Sequence, residues 1–227
     1  MPTSNAGLIS KAAAVYAKDF RLELRSRYSL NAILMFAVTT LAVVSFSLGQ
    51  SGLSPKLLSA LFWIVLFFSA MSGLAHVFIR EEETGTALIL RLKADPDAVY
   101  LGKLLINFSL LSVMTVVITP IFFIFTDAGG QYVLPFVPIL ILGVVGLCSA
   151  TTLVAAIIAR ASMKTALFAA LSFPILMPLL LALVSASEKA LGGQGLSACW
   201  SELQALVAYA VVMITGSLML FKFVWQE

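Results

Sequence analysis

Long apolar runs restrict the fold of this chain more than any other feature. There are six such runs, and almost all charged side chains lie between them or before the first one. A helix needs roughly 20 apolar residues to cross the hydrocarbon of a bilayer. Charged residues make up only 11% of the chain, against about 25% in soluble domains. The sequence predicts one all-α membrane domain with six transmembrane helices, at about 30–48, 57–79, 104–125, 133–159, 164–187 and 203–222.

Lysine and arginine are distributed unevenly among the connections between these runs. If both termini lie on the same side of the membrane, 12 of the 14 Lys and Arg residues lie on that side too. Connections on the cytoplasmic side are the ones enriched in Lys and Arg. The pattern therefore predicts that both termini are cytoplasmic. The net charge of +3 is explained by this topology, and we do not expect nucleic acid to be a partner.

Residues 79–103, the charged segment, contain nine of the 25 charged side chains. A short apolar patch, Ala87–Leu90, lies among them. A connection between two spans does not need such a patch, so we expect a cytoplasmic docking surface for another protein. The alternative is that the patch enters the membrane interface or packs against the same chain. The expected contact residues are Glu82, Glu83, Gly85, Thr86, Leu88, Ile89, Leu90 and Leu92.

Within the loop 80–103 of the charged segment, single residues predict where helices end and begin. Gly85 can end the helix of the second span, and Thr84 or Thr86 can cap a short helix near 86–93. Asp95-Pro96 has the pattern of an N-cap followed by proline at the first helical position. This dipeptide would begin the helix that becomes the third span.

Residues 8–28 are predicted to form an amphipathic helix before the first span. At about 100° per residue, one face carries basic side chains and the opposite face carries apolar ones. Such a helix can lie in the inner membrane interface with its basic face toward anionic headgroups, and Arg21 and Arg25 would anchor it there. The alternative is a cytoplasmic helix packed on neighbouring spans. The basic face comprises Lys11, Lys18, Arg21 and Arg25, and the apolar face comprises Ile9, Tyr16, Phe20 and Leu24.

Two regions of the later spans have unusual patterns. Pro174 and Pro178 share one face of the fifth span and would bend it. The bend indicates either a hinge beside a lateral opening or a static kink. Residues 188–202 indicate a periplasmic re-entrant or interfacial helix, with a plain connector as the alternative. Trp200 suits a membrane interface, and Ser201 with Gln204 has the spacing of a capping box.

The chain lacks the residues that catalysis or ion coupling needs. Gly102-Lys103 is not part of a P-loop, because Asp97 stands where its first glycine should be. His76 has no Cys or His nearby, so an interface role is favoured over haem or metal ligation. Cys148 and Cys199 have no metal spacing and are interpreted as packing residues. We expect no catalytic site and no metal site, so energy for any transport would come from a partner.

Four segments in order resemble the CcmB family, the haem exporter B permeases of the cytochrome c maturation ABC transporter. The segment that leaves the second span, with its acidic run and following Gly-Thr, is the most specific. The resemblance covers nearly the whole chain. The four segments are FRLELR (Phe20–Arg25), FSAMSGLAHVFIREEETGT (Phe68–Thr86), LRLKADPDAVYLGKLL (Leu90–Leu105) and FPILMPLLL (Phe173–Leu181).

The resemblance implies a type-2 ABC exporter fold in a bacterial inner membrane, with residues 8–28 as an elbow helix and a coupling helix after the second span. It implies an ATPase subunit, CcmA, as partner, together with CcmC, CcmD and the haem chaperone CcmE. A second copy of the chain and membrane lipids are further expected partners. Haem would be a transported or handled ligand rather than a bound cofactor, and ATP would act only through the partner.

The resemblance leaves two roles open for such a chain. It would either export haem or transmit ATP-driven motion that releases the haem-loaded chaperone. The absence of a convincing haem ligand favours the second. Other readings of the same sequence are a generic ABC-2 permease for another amphipathic substrate, or a membrane scaffold that recruits a cytoplasmic protein without ATP.

Overall fold

The described part of this computed structural model is almost entirely helical. Seven α-helices and one 3₁₀ helix follow one another among the described residues. They are α1 (Leu8–Ser26), α2 (Tyr28–Leu48), α3 (Pro55–Leu74), α4 (Pro96–Thr126), α5 (Val133–Ile158), α6 (Lys164–Leu191), the 3₁₀ helix (Leu196–Cys199) and α7 (Trp200–Gln226). The structure describes residues 7–26, 28–48, 54–74, 81, 85–86, 90, 92, 94–126, 133–159 and 164–226.

In the part of the chain that the structure describes, four helical stretches are long and apolar enough to cross a membrane. This confirms the prediction of an all-α, multi-pass membrane protein for the described residues. Helices α2 and α3 are 21 and 20 residues long, with apolar parts at Leu34–Val44 and Pro55–Met71. The four stretches are Pro96–Thr126, Leu134–Ile158, Ala170–Leu191 and Leu196–Phe223.

Helix α5 occupies the centre of the bundle. It packs against α3, α4, α6 and α7, while α2 packs on α3 and α4, and α1 lies along α4. Small residues on α5 allow this close packing. A Cβ atom on Gly143 would lie 2.2 Å from Cη2 of Trp63, so the indole ring occupies the space that a side chain would need.

Trp63 also joins α3 to α6 through a buried hydrogen bond. Its indole N–H donates to Oγ of Ser187 at 2.8 Å. Phe62, next to it, packs edge-on against Phe122 and Phe136. The core at this level therefore combines aromatic packing with one satisfied polar contact, which is the favourable arrangement for a buried tryptophan.

The connection between α6 and α7 is a tight turn. Helix α6 continues to Leu191, and Gly193 then adopts a φ of +80°, in the left-handed region that glycine tolerates. Lys189 bonds across the turn to the carbonyl of Ala198 and to Glu202. The prediction of a capping box at Ser201 and Gln204 is wrong. Helix α7 begins at Trp200, and the Ser201 hydroxyl donates to the Glu202 carboxylate instead.

Candidate functional site

The first turn of the charged segment ends in a glycine-based cap, as the sequence predicts. Gly85 has a φ of +68°, and the N–H of Thr86 donates to the carbonyl of Glu81 at 3.0 Å. A bond of this span across a left-handed glycine is the Schellman motif that ends α-helices. Because the cap fixes the direction of the chain after Glu81, it sets where the rest of the charged segment begins.

Helical hydrogen bonds connect the described residues of the charged segment to α4. Leu90 N–H donates to the Thr86 carbonyl and Ala94 N–H to the Leu90 carbonyl, each four residues back. The N–H of Val99 then donates to the Asp95 carbonyl at 3.1 Å, and α4 begins at Pro96. The prediction that Asp95-Pro96 starts the next helix is confirmed.

A buried lysine joins α4 to both α1 and the start of the charged segment. The side chain of Lys103 is fully buried, and its Nζ lies 2.8 Å from Oδ2 of Asp19 and 2.9 Å from Oε1 of Glu81. Removing ions from water is costly, so a buried lysine needs close carboxylates to remain charged. Lys103, Asp19 and Glu81 therefore tie three separate parts of the chain together.

Lys18 of α1 adds a second cation to this cluster. Its ammonium pairs with the same Oε1 atom of Glu81 and lies 3.2 Å from Asp19. Partial burial acts to lower the pKa of Lys18, but the Glu81 and Asp19 carboxylates outweigh it and raise the pKa above the ordinary value of 10.5. Lys18 is therefore charged at neutral pH. We call Lys18, Asp19, Glu81 and Lys103 the ion cluster.

Two partly exposed ion pairs hold the other end of the charged segment. Lys11 of α1 lies 2.7 Å from Oδ2 of Asp95, and Lys222 of α7 lies 3.2 Å from Oδ2 of Asp97. Helix α1 therefore contacts both flanks of the charged segment, through Glu81 at one end and Asp95 at the other.

Helix α1 approaches α4 closely at a glycine. A Cβ atom on Gly102 would lie 2.7 Å from Cβ of Val15 and 2.9 Å from the carbonyl oxygen of Ala12. Ala12 and Val15 are buried there, whereas Ile9, assigned to the apolar face from the sequence, is 83% exposed. Helix α1 turns the line Ala12–Val15–Asp19 toward α4 and leaves Ile9 outside the bundle, and the position of its apolar face in the membrane interface stays a prediction.

The predicted docking residues have different environments. Leu92 is 81% exposed, and Gly85 and Thr86 are exposed. Leu90 is half-buried and packs against the core formed by α4, α5 and α7. At this residue the apolar patch therefore packs on the same chain, which was the alternative to a docking surface for another protein. The predicted residues Glu82, Glu83, Leu88 and Ile89 lie outside the described residues, as does His76.

The predicted hinge and anchors lie elsewhere on the bundle. Pro174 and Pro178 are both inside α6 and both exposed. Arg21 is exposed on α1, and Trp200 is 63% exposed where α7 begins. The side chain of Arg25 lies outside the described residues. Their roles as hinge and membrane anchors stay predictions.

Sequence reasoning did not single out Asp19, Glu81 and Lys103 as a site. A signal was available on α1, where Ala12, Val15 and Asp19 recur at helical spacing and form a line that is neither the basic nor the apolar face. A small residue beside Lys103, Gly102, marks the matching position on α4. Only the packing of α1 on α4 shows that the two lines meet.

The ion cluster has no evident catalytic chemistry, because its carboxylates and ammonium groups are paired with one another. These ion pairs connect the start of the charged segment to both α1 and α4. The fold and this site define a multi-pass helical membrane protein whose charged segment is attached to its own first helix.

A family model described as CcmB protein matches residues 10–223, almost the whole chain. The chain belongs to the CcmB family, the permease family of the cytochrome c biogenesis ABC transporter. It is thus a membrane component of the cytochrome c maturation and haem export system, and the resemblance seen in the sequence is confirmed. No curated protein matches the chain.

Proposed function

We propose that this permease couples ATP hydrolysis in a partner subunit to movement of its own spans, through the charged segment. The observation that carries the proposal is the attachment of α1 to both flanks of that segment, at Glu81 and Asp95. An exposed leucine, Leu92, lies between these two attachments. A partner that pushes on Leu92 would displace α1 and α4 together, which is what coupling to the bundle requires.

The proposed topology has six spans, with α2 and α3 crossing the membrane in addition to the four long apolar stretches. At 1.5 Å per residue, 20 residues reach about 30 Å, the thickness of the hydrocarbon core. Helix α1 is then the elbow helix of a type-2 ABC exporter. The excess of Lys and Arg supports cytoplasmic termini, in a bacterial inner membrane.

The proposed partner at Leu92 is the ATPase subunit CcmA, in a complex that also contains CcmC and CcmD. The complex would serve the haem chaperone CcmE. A conformational change needs contacts that differ between two states, and closure of an ATPase dimer on the charged segment would provide them. We favour release of the loaded chaperone over haem transport by this chain, because the sequence offers no convincing haem ligand.

Co-purification of the ATPase tests the contact. Leu92→Asp should reduce the amount of CcmA recovered with the full chain after gentle solubilisation, while membrane insertion stays normal. Leu196→Asp is the matched control, because Leu196 is also exposed but lies in the turn before α7. Equal recovery of CcmA with both variants and the native chain would refute docking at Leu92. Failure of CcmA to bind even the native chain would favour a scaffold without ATP coupling.

A further inference from the structure

An apolar groove of about 770 Å³ runs between α3 and α6. Its walls include Ile64, Phe67 and Phe68 of α3 and Phe173, Leu180 and Val184 of α6. None of the described residues that line it is charged, and the volume is within the range of small-molecule sites. Along α3 the lining extends from Ala60 to Met71, about 16 Å at 1.5 Å per residue. The groove thus has the length and surface of a site for an aliphatic chain.

The two prolines of α6 add hydrogen-bond acceptors beside this groove. Pro174 has no N–H to donate to the carbonyl of Ala170, and Pro178 has none for the carbonyl of Pro174. Ala170 itself lines the groove, and both prolines are exposed. Placing a backbone carbonyl without a hydrogen-bond donor in hydrocarbon costs several kcal/mol. A donor group that reaches one of these two oxygens would therefore bind there favourably.

The neighbouring helices do not supply that donor from their described residues. The Tyr209 hydroxyl of α7 bonds to α6, but it donates to the carbonyl of Ile175 at 3.0 Å. Within the described ranges, no side chain and no backbone group of another helix donates to Ala170 or Pro174. The Tyr209 bond therefore compensates neither of the two carbonyls that the prolines leave without their helical donor, and these two acceptors lie next to an apolar groove.

We propose that the groove between α3 and α6 binds a neutral single-chain amphiphile. Its aliphatic chain fills the groove, and its hydroxyl donates to the carbonyl oxygen of Ala170 or Pro174. A charged headgroup is disfavoured because no lining residue would compensate its charge. This site goes beyond the proposed coupling function and does not depend on it.

The test uses the full chain in lipid nanodiscs and a photoactivatable diazirine derivative of hexadecanol. Labelling should map to peptides of both α3 and α6. Unlabelled hexadecanol should compete roughly fivefold better than hexadecane, the effect of one net hydrogen bond, and better than hexadecanoate. No labelling of these peptides, or equal competition by hexadecane or hexadecanoate, would overturn the proposal.

Two variants separate the groove from the hydrogen bond. Val184→Trp fills the groove and should remove most of the labelling, whereas Val212→Trp, on an exposed position of α7, should leave it unchanged. The double change Pro174→Ala with Pro178→Ala restores both N–H donors, so hexadecanol and hexadecane should then compete equally while labelling persists. Labelling that survives Val184→Trp, or a preference for hexadecanol that survives loss of both prolines, contradicts the assigned site.

Discussion

Lys103 on α4 lies 2.9 Å from Oε1 of Glu81, and Lys18 on α1 contacts the same oxygen. Lys18 and Glu81 are 63 residues apart in the sequence. One carboxylate at the start of the charged segment is therefore held from two helices at once. Because Glu81 and Lys103 are both buried, this contact fixes position more strongly than an exposed ion pair would.

Lys103→Met tests the buried part of the ion cluster. The change removes the cation between Asp19 and Glu81 and leaves the buried Glu81 carboxylate and the partly buried Asp19 carboxylate with less positive charge nearby. Breaking a buried ion pair from one side costs roughly 3–5 kcal/mol. We expect a fall of that order in the free energy of unfolding in detergent, together with faster proteolysis of α1.

A compensating variant shows whether the loss comes from uncompensated charge. Lys103→Met combined with Glu81→Gln removes one charge of each sign, and it should recover a large part of the lost stability. If the double variant is as unstable as Lys103→Met, the apolar packing of the lysine stem, rather than the ion cluster, holds α1 on α4.

The Lys11–Asp95 pair should behave differently because it is exposed. The side chains of Lys11 and Asp95 are 39% and 60% exposed, and exposed ion pairs contribute about 0.2–1 kcal/mol. Lys11→Ala should therefore change the free energy of unfolding by less than about 1 kcal/mol, and added salt should reduce the difference. A loss as large as that of Lys103→Met would contradict the division into a buried and an exposed attachment.

Gly102→Ala tests the contact between α1 and α4 without changing charge. The new Cβ would lie 2.7 Å from Cβ of Val15, and overpacking of this kind costs roughly 1–3 kcal/mol. The control is Gly216→Ala on α7, where nothing lies within 4 Å of the new atom and alanine favours the helix by about 1 kcal/mol. We expect opposite changes in thermal stability, and a stabilising effect of Gly102→Ala would refute the close approach.

Local features of this site could be predicted from the sequence, whereas its contacts could not. Gly85 and Asp95-Pro96 act through their own backbone, so a cap and a helix start follow from residue type alone. The ion cluster depends on which helix lies against which, and that is set by the packing of the whole bundle. Helical periodicity divided α1 into a basic and an apolar face but did not show that Asp19 would face α4.

Tyr209→Phe tests whether α7 restrains α6 at its two prolines. The Tyr209 hydroxyl donates to the Ile175 carbonyl, next to Pro174, and interhelical hydrogen bonds in membranes contribute about 0.6 kcal/mol on average. We expect a small loss of stability and a broader distance distribution between spin labels at Leu171 and Leu181, exposed positions on either side of the prolines. The matched control is Tyr16→Phe on α1. The Tyr16 hydroxyl accepts a 3.3 Å bond from Ser109, and its removal should leave the distances between the spin labels unchanged. An unaltered distribution in Tyr209→Phe would mean that the Tyr209 hydrogen bond does not restrain this part of α6.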